Sequence, residues 1–323
     1  MTPARAAHGG AGSGSGVVAT VVRAEDAPGP TLVVELDRLP RGALASRGEL
    51  VALRRALAGT PYARLSKIAL YGPSARPGSD LDYRFVQALP DGGFDFRTGC
   101  GHSLLACVVA AARPGPLTVH AVTTGDDVQC RPEGRTEARP DVPTPPPYTL
   151  RFPQAPDAPG TFPTGRPVDV LGGVPVSLVR YGNPYVFVDA AHLGIHSDDA
   201  LFRAGNATLR RLLALRAHAA RRLGHPPHSA LPKIAMFTAG GGRTAVRSLT
   251  VGGWHPRLAL TGAAALAAAA YAEGTVVPRL DGPVATPGGP VTVSCGAHHV
   301  AVHHKRATVL ERLELPWRIH ATA

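Results

Sequence analysis

The sequence predicts an α+β protein of two similar lobes, each a mixed β-sheet around one central helix, with the functional cleft between the lobes. Three observations predict it. Short apolar, β-branched runs alternate with Gly/Pro-rich breaks along the whole chain. Two apolar segments, Ser103 to Ala112 and Gly262 to Tyr271, are long enough for buried helices, and each follows a Gly-containing start. The segment Ser66-Lys67-Ile68-Ala69-Leu70 recurs as Pro232-Lys233-Ile234-Ala235-Met236. Cys100-Gly101 follows Lys67 by 33 residues, and Thr261-Gly262 follows Lys233 by 28. Only three lysines occur in the chain, so two of them in one repeated context point to an internal duplication. Each repeat then aims a helix N-terminus at the cleft, where carboxylates are held well.

The elements follow in order. Residues 1–16 are rich in Gly, Ala and Ser and read as a flexible tail. Val17 to Val22 and Thr31 to Leu36 read as strands. Ser46 with Glu49 forms a capping box for a helix carrying Leu50, Leu53 and Leu57, stopped at Gly59. Strands are expected at Ile68 to Tyr71, Leu81 to Val86, Leu117 to Val122 and Tyr148 to Phe152. Proline-rich stretches, Pro140 to Pro147 and Pro153 to Pro167, mark the boundary between a first lobe (17–155) and a second (156–323). The second lobe shows strands at Val174 to Arg180, Tyr185 to Asp189, Ile234 to Phe237 and Ala245 to Leu249. An amphipathic helix runs from Asn206 to Leu223. Val291 to Val293 and Val300 to His303 are expected to form a terminal hairpin, and the last strand can cross back to the first lobe.

Composition excludes several classes. The 34 basic against 23 acidic residues give a net charge of +11, but the arginines are scattered among acids instead of clustered, which argues against nucleic acid as a partner. Cys100, Cys107, Cys130 and Cys295 form no CxxC pair and no disulfide framework. The first residues lack the apolar core of a secretory signal, and the most apolar stretch, Leu258 to Ala272, falls short of the ~20 residues that span a bilayer. A soluble, reduced, cytoplasmic protein is expected, with no membrane partner. His298, His299, His303 and His304 lie on a probable strand, which turns alternate members to opposite faces, so no metal site is expected.

Chemistry concentrates at Lys67 and Cys100. A cysteine at a helix start beside a lysine is placed to become a thiolate, and a lysine in a cleft can lose its proton to desolvation or keep it and stabilise an enolate. Other readings stay open: Cys100 as a small buried side chain, Lys67 as a surface lysine, Asn183 before Pro184 as a turn residue, His255 and Arg257 as loop residues. Cys107, two helical turns after Cys100, reads as core.

The ordered set Ser66-Lys67-Ile68-Ala69, Asp80 to Gln87, Cys100-Gly101, Gly182-Asn183-Pro184-Tyr185, Leu193-Gly194, Pro232-Lys233-Ile234-Ala235 and His255 before Thr261-Gly262 resembles the PrpF family of the diaminopimelate-epimerase fold, over residues 17 to 304. That family includes methylaconitate and methylitaconate isomerases and oxalomesaconate tautomerase. The resemblance implies curved mixed sheets and an isomerase or tautomerase that moves a double bond by a 1,3-proton shift in an unsaturated carboxylate, without a cofactor. It implies Lys67 and Cys100 as catalytic residues. Ser66, Gln87, Gly101, His102, Asn183, Lys233, His255, Thr261 and Gly262 would bind the substrate. A small unsaturated carboxylate or carbonyl compound is the expected partner, with a homodimer as an oligomeric option.

The chain departs from the family pattern at carboxylate-binding positions. Arg23 is followed by Ala24-Glu25-Asp26-Ala27-Pro28 where an Arg-Gly-Gly-Thr-Ser-Lys segment is usual. His102 replaces an Asn, Val293-Ser294-Cys295-Gly296 replaces a His-Pro-Ser-Gly segment, and Thr261 stands where related epimerases keep a second cysteine. An altered, less charged substrate in a specialised pathway is therefore expected. The alternatives are a deprotonation-started cyclisation or dehydration in natural-product biosynthesis, or a binding protein without turnover.

Overall fold

The computed structural model describes residues 17–40, 42–134, 146–226 and 229–315. The N-terminal 16 residues and most of the Pro140–Pro147 stretch lie outside the described residues.

The first lobe is built from β1 (Val17–Ala24), β2 (Thr31–Glu35), α1 (Arg47–Leu57), β3 (Lys67–Pro73), β4 (Leu81–Ala88), β5 (Phe94–Asp95), α2 (Gly101–Ala111), β6 (Leu117–Ala121), β7 (Asp126–Pro132) and β8 (Tyr148–Phe152). The second contains β9 (Asp169–Leu171), β10 (Val174–Tyr181), β11 (Asn183–Asp189), α3 (Asp198–Phe202), α4 (Asn206–Arg222), β12 (Lys233–Gly240), β13 (Arg243–Thr250), β14 (Gly253–Trp254) and α5 (Leu260–Tyr271). Three strands follow: β15 (Val293–Gly296), β16 (His299–Lys305) and β17 (Ala307–Leu315). They return to the first sheet, where β16 pairs with β8 and β17 with β1.

The duplication is visible in the strand pairing. In the first lobe β1–β2 is antiparallel, β2–β3 parallel, and β3–β4 and β4–β5 antiparallel. In the second lobe β10–β11 is antiparallel, β11–β12 parallel, and β12–β13 and β13–β14 antiparallel. Lys67 opens β3 and Lys233 opens β12, so the two lysines hold equivalent places.

Alternation along these strands sorts side chains between two layers. Leu32, Val34, Ile68 and Leu70 join Leu50, Leu53 and Leu57 of α1 in an outer core. Val33, Ala69 and Tyr71 face inward and share a core with Leu104, Leu105 and Val108 of α2. Likewise Ile234 and Met236 pack with Leu212 and Leu215 of α4, while Ala235 and Phe237 join the inner core with Ala263 to Ala270 of α5. Because the central strands are buried on both faces, they read as near-continuous apolar runs such as Ile68 to Tyr71. The parity that turns Ala69 and Ala235 inward also turns Lys67 and Lys233 inward, toward the first turns of the central helices.

Those two helices meet at their first turns. A Cβ on Gly101 would lie 2.8 Å from Leu260 Cβ, and a Cβ on Gly262 would lie 2.7 Å from the Tyr185 ring. Only glycine lets α2 and α5 approach in this way.

Two expectations need correction. Ser46 makes no capping hydrogen bond: the chain enters α1 through a 3-10 turn at Leu44–Ser46, which gives Ser46 helical backbone angles and buries its hydroxyl. The expected terminal hairpin begins at Val293, not Val291, because Val291 bridges to Val284. It is also followed by β17, a nine-residue edge strand. Glu311, Arg312 and Glu314 along that strand mask its pattern, as charges on edge strands do.

Gly101→Ala is expected to lower stability by about 1–3 kcal/mol, since the added methyl has no space between the helices. Gly59→Ala, with nothing within 4 Å of the added carbon, is expected to stay within about 0.5 kcal/mol of the parent. Urea denaturation of both variants checks this; equal midpoints would remove the packing argument.

Candidate active site

A pocket opens where α2 and α5 meet. Lys67, Gln87, Cys100, Gly101 and His102 line it from the first lobe, and Asn183, Lys233, His255 and Thr261 from the second. Of the sequence-predicted residues, Gly262 lies one position inside α5, packed beneath Tyr185. Ser66 is exposed, and only its carbonyl is engaged, accepting from Gln87 Nε2 at 2.8 Å.

Cys100 is the N-cap residue of α2, in an extended conformation and partly exposed. Three contacts fix the loop before it. Asn183 accepts from the Gly99 amide at 2.9 Å and donates to the Gly99 carbonyl at 2.8 Å. Its Nδ2 also donates to Thr261 Oγ1 at 3.4 Å, so one amide ties the cysteine loop of one lobe to the α5 start of the other. The Tyr83 hydroxyl donates to the Cys100 carbonyl at 2.9 Å. Neither α2 nor α5 has a capping side chain or an acid in its first turn. Two uncompensated positive helix ends therefore converge on the pocket.

Both lysines line the pocket together with Cys100. Lys67 is buried, with Nζ donating to the Gly29 carbonyl at 3.3 Å. Burial lowers its pKa; the nearby Cys100 opposes the shift and Arg23 adds to it. Lys233 is lowered to about 8, mainly by burial, with Cys100 again opposing and Arg216 adding to the shift. Each ammonium is thus disfavoured by desolvation, and Cys100 lies near enough to both to oppose the shift.

Two imidazoles form the opposite wall. His102 and His255 stack with ring centroids 6.0 Å apart at 17°. Burial, followed by the neighbouring His255 and Lys67, holds His102 well below the usual histidine range. Burial and Lys67 bring His255 to about 4. Both rings are neutral near pH 7. His255 Nδ1 accepts from the Arg257 amide at 3.1 Å, which leaves its proton on Nε2. His102 Nε2 is buried without a hydrogen-bond partner.

Sequence reasoning missed the group behind these rings. Asp26 is buried and paired with both Lys305 and Arg257. Arg257 also donates to the Gly288 carbonyl through Nε. The available signal was lysine scarcity: Lys305 is the third of three lysines and is 4% exposed. Arg257, considered as a carboxylate holder, is committed to Asp26. Among the described residues no cluster of three or more His, Cys, Asp or Glu could hold a metal, and no helix is long and apolar enough to cross a membrane.

Two lobes with facing helix starts, one carrying a cysteine, define a diaminopimelate-epimerase-like enzyme. Solved structures agree on the fold: a methylitaconate-delta-isomerase aligns with a TM-score of 0.63 at 22% identity, over 92% of this chain and 94% of that one. A hydroxyproline epimerase from Agrobacterium vitis aligns at 0.61 and 13%, over 94% and 93%. In sequence, residues 118–314 match the family model described as PrpF protein. The protein named isomerase YbhH of Escherichia coli (strain K12) is 31% identical over 246 residues, covering 67% of this chain and 69% of that protein. The (4E)-oxalomesaconate Delta-isomerase of Novosphingobium sp. (strain KA1) is 28% identical over 65% of this chain and 66% of its own length. The chain belongs to the PrpF family and is an isomerase.

Iodoacetamide on the native protein is expected to modify Cys100 well before Cys107 and Cys130, which are fully buried with thiols pushed far up by burial. Peptide mapping by mass spectrometry reads the order. Labelling of Cys107 at the rate of Cys100 would return Cys100 to the core.

Proposed function

We propose that this chain catalyses a cofactor-independent 1,3-proton shift in an unsaturated carboxylate, with Lys67 and Cys100 as the proton-transferring pair. The observation that carries this reading is the position of Cys100, at an uncapped helix start in one pocket with Lys67 and Lys233.

The chemistry follows from the groups. A carbon flanked by a double bond and a carboxylate carries a weakly acidic proton. Its removal spreads the electron pair over the former double bond, and a proton returns two carbons away. A base must sit within hydrogen-bond reach, and fixed dipoles must face the developing charge. The first N–H groups of α2 and α5 supply such dipoles, with Lys233 as a cation beside them. The neutral His102, with Nε2 unpaired, offers a hydrogen bond that costs the site no charge. Asn183 and Tyr83 act as positioning residues, holding Gly99 and Cys100. Thr261 at the α5 start cannot serve as a second thiol, so proton removal and return are assigned to the first lobe. The methylitaconate, oxalomesaconate and methylaconitate named for curated relatives are carboxylates of this class.

Proton NMR of unsaturated dicarboxylates with the protein in deuterated water is expected to show deuterium at two carbons in a 1,3 relation. Lys67→Ala should reduce the rate about 10²–10⁴-fold. Lys67→Arg separates the roles: a base is not restored by a group that stays protonated, whereas a charge clamp is restored in part. Lys67→Ala turning over near the parental rate would sink the assignment.

The pH profile tests Lys233. Its folded pKa of about 8 means that the ammonium is lost as pH rises through that value. If the charge holds a substrate carboxylate, kcat/KM falls above pH ~8, and Lys233→Arg, which stays charged, flattens that limb. A flat parental profile from pH 7 to 9.5 would remove Lys233 from carboxylate binding.

A further inference from the structure

Lys233 borders a second cavity as well as the reaction pocket. This larger space lies beyond the lysine and is walled by Leu209, Leu213 and Arg216 of α4, by Leu249 of β13 and by Val251 of the β13–β14 turn. The two cavities share Lys233, Leu249, Thr250 and Val251, so they adjoin along one edge of the cleft.

The character of the second cavity differs from the first. Its acid, Asp95, is bound to Arg97 through paired hydrogen bonds of 3.1 and 3.2 Å. Arg216 donates to the Ser229 carbonyl. Asp95 and Arg97 are thus engaged with each other, and the rest of the wall is largely aliphatic, with Lys233 at the edge shared with the reaction pocket. Leu213 and Val251 are 42% and 45% exposed, and both line this space. Water gains little from such walls, and an apolar ligand gains from covering them.

We propose that the second cavity is a specificity subsite for an apolar substituent of the substrate. The carboxylate-bearing head would sit at Cys100 and the helix starts, and a hydrocarbon arm would pass Lys233 to lie between α4 and the β13–β14 turn. The proposal rests on the unsaturated-carboxylate reading for the head group alone. It adds that this chain's substrate carries an alkyl or aryl arm beyond the reacting carbons.

Binding of saturated probes tests the arm without requiring turnover. Calorimetry would compare 2-methyl-, 2-butyl- and 2-hexylsuccinate on the full chain. Burying hydrocarbon strengthens binding by up to roughly three- to fourfold per methylene, so hexylsuccinate should bind at least about tenfold tighter than methylsuccinate. Leu213→Trp and Val251→Trp fill the cavity from two walls at exposed positions. Either should bring the hexyl-to-methyl affinity ratio toward one. A ratio near one in the parent protein, or a ratio unchanged in both variants, would overturn the subsite. Its failure is separate from failure of the reaction. Tail-dependent binding with no 1,3-deuteration of unsaturated probes leaves the subsite and removes the proton shift. Deuteration with no tail dependence does the reverse.

Discussion

The close approach of α2 and α5 at their first turns governs the rest of the molecule. The contact needs glycine at 101, where α2 lies against Leu260 of α5, while Gly262 lets α5 lie against Tyr185 of β11. The contact fuses the inner cores of both lobes into one apolar cluster. It also brings two positive helix ends to one point, a repulsive arrangement unless something negative lies between them. The protein places Cys100 there, and otherwise leaves the ends uncapped. The folded state therefore holds a standing electrostatic demand that a bound carboxylate satisfies.

Much of this was legible because the central strands are buried on both faces. Apolar runs at Ile68 to Tyr71 and Ile234 to Phe237 mark such strands without any periodicity argument, and the lysine heading each run marked the repeat. The helix starts were legible through Gly101 and Gly262. Other features were not. Ser46 and Glu49 carry a capping signature that the 3-10 entry into α1 overrides. The edge strand β17 is disguised by charges suited to solvent. Local pattern reports which face a residue takes, but not which distant segment meets it. Asp26, Arg257 and Lys305 come from three separate loops and strand ends, so their meeting had no local signal.

That triad explains the departure at Arg23 to Pro28. A buried carboxylate held by two cations is stable only as a set, because removing a member leaves the others uncompensated. Asp26 comes from the β1–β2 loop, Arg257 from the segment before α5, and Lys305 from the end of β16. The three tie the lobes together beside the pocket. Asp26 also consumes two cations that would otherwise be available to a ligand. The positive character that remains for a substrate comes from Lys67, Lys233 and the helix ends, consistent with a head group of modest charge.

The remaining titratable groups share one property: burial moves each toward its neutral form. His102 and His255 are neutral, and both lysines are moved toward neutrality. Desolvation alone would make such a pocket inert. Cys100 lies close enough to both lysines to oppose that shift. A substrate carboxylate entering there would raise the pKa of both lysines and so favour their charged form. Binding would then favour the ammonium over the neutral amine. The lysines would then hold the head group as cations, while the proton taken from one carbon has to be kept by the group that accepts it and returned to the other, because the net proton balance of the reaction is zero.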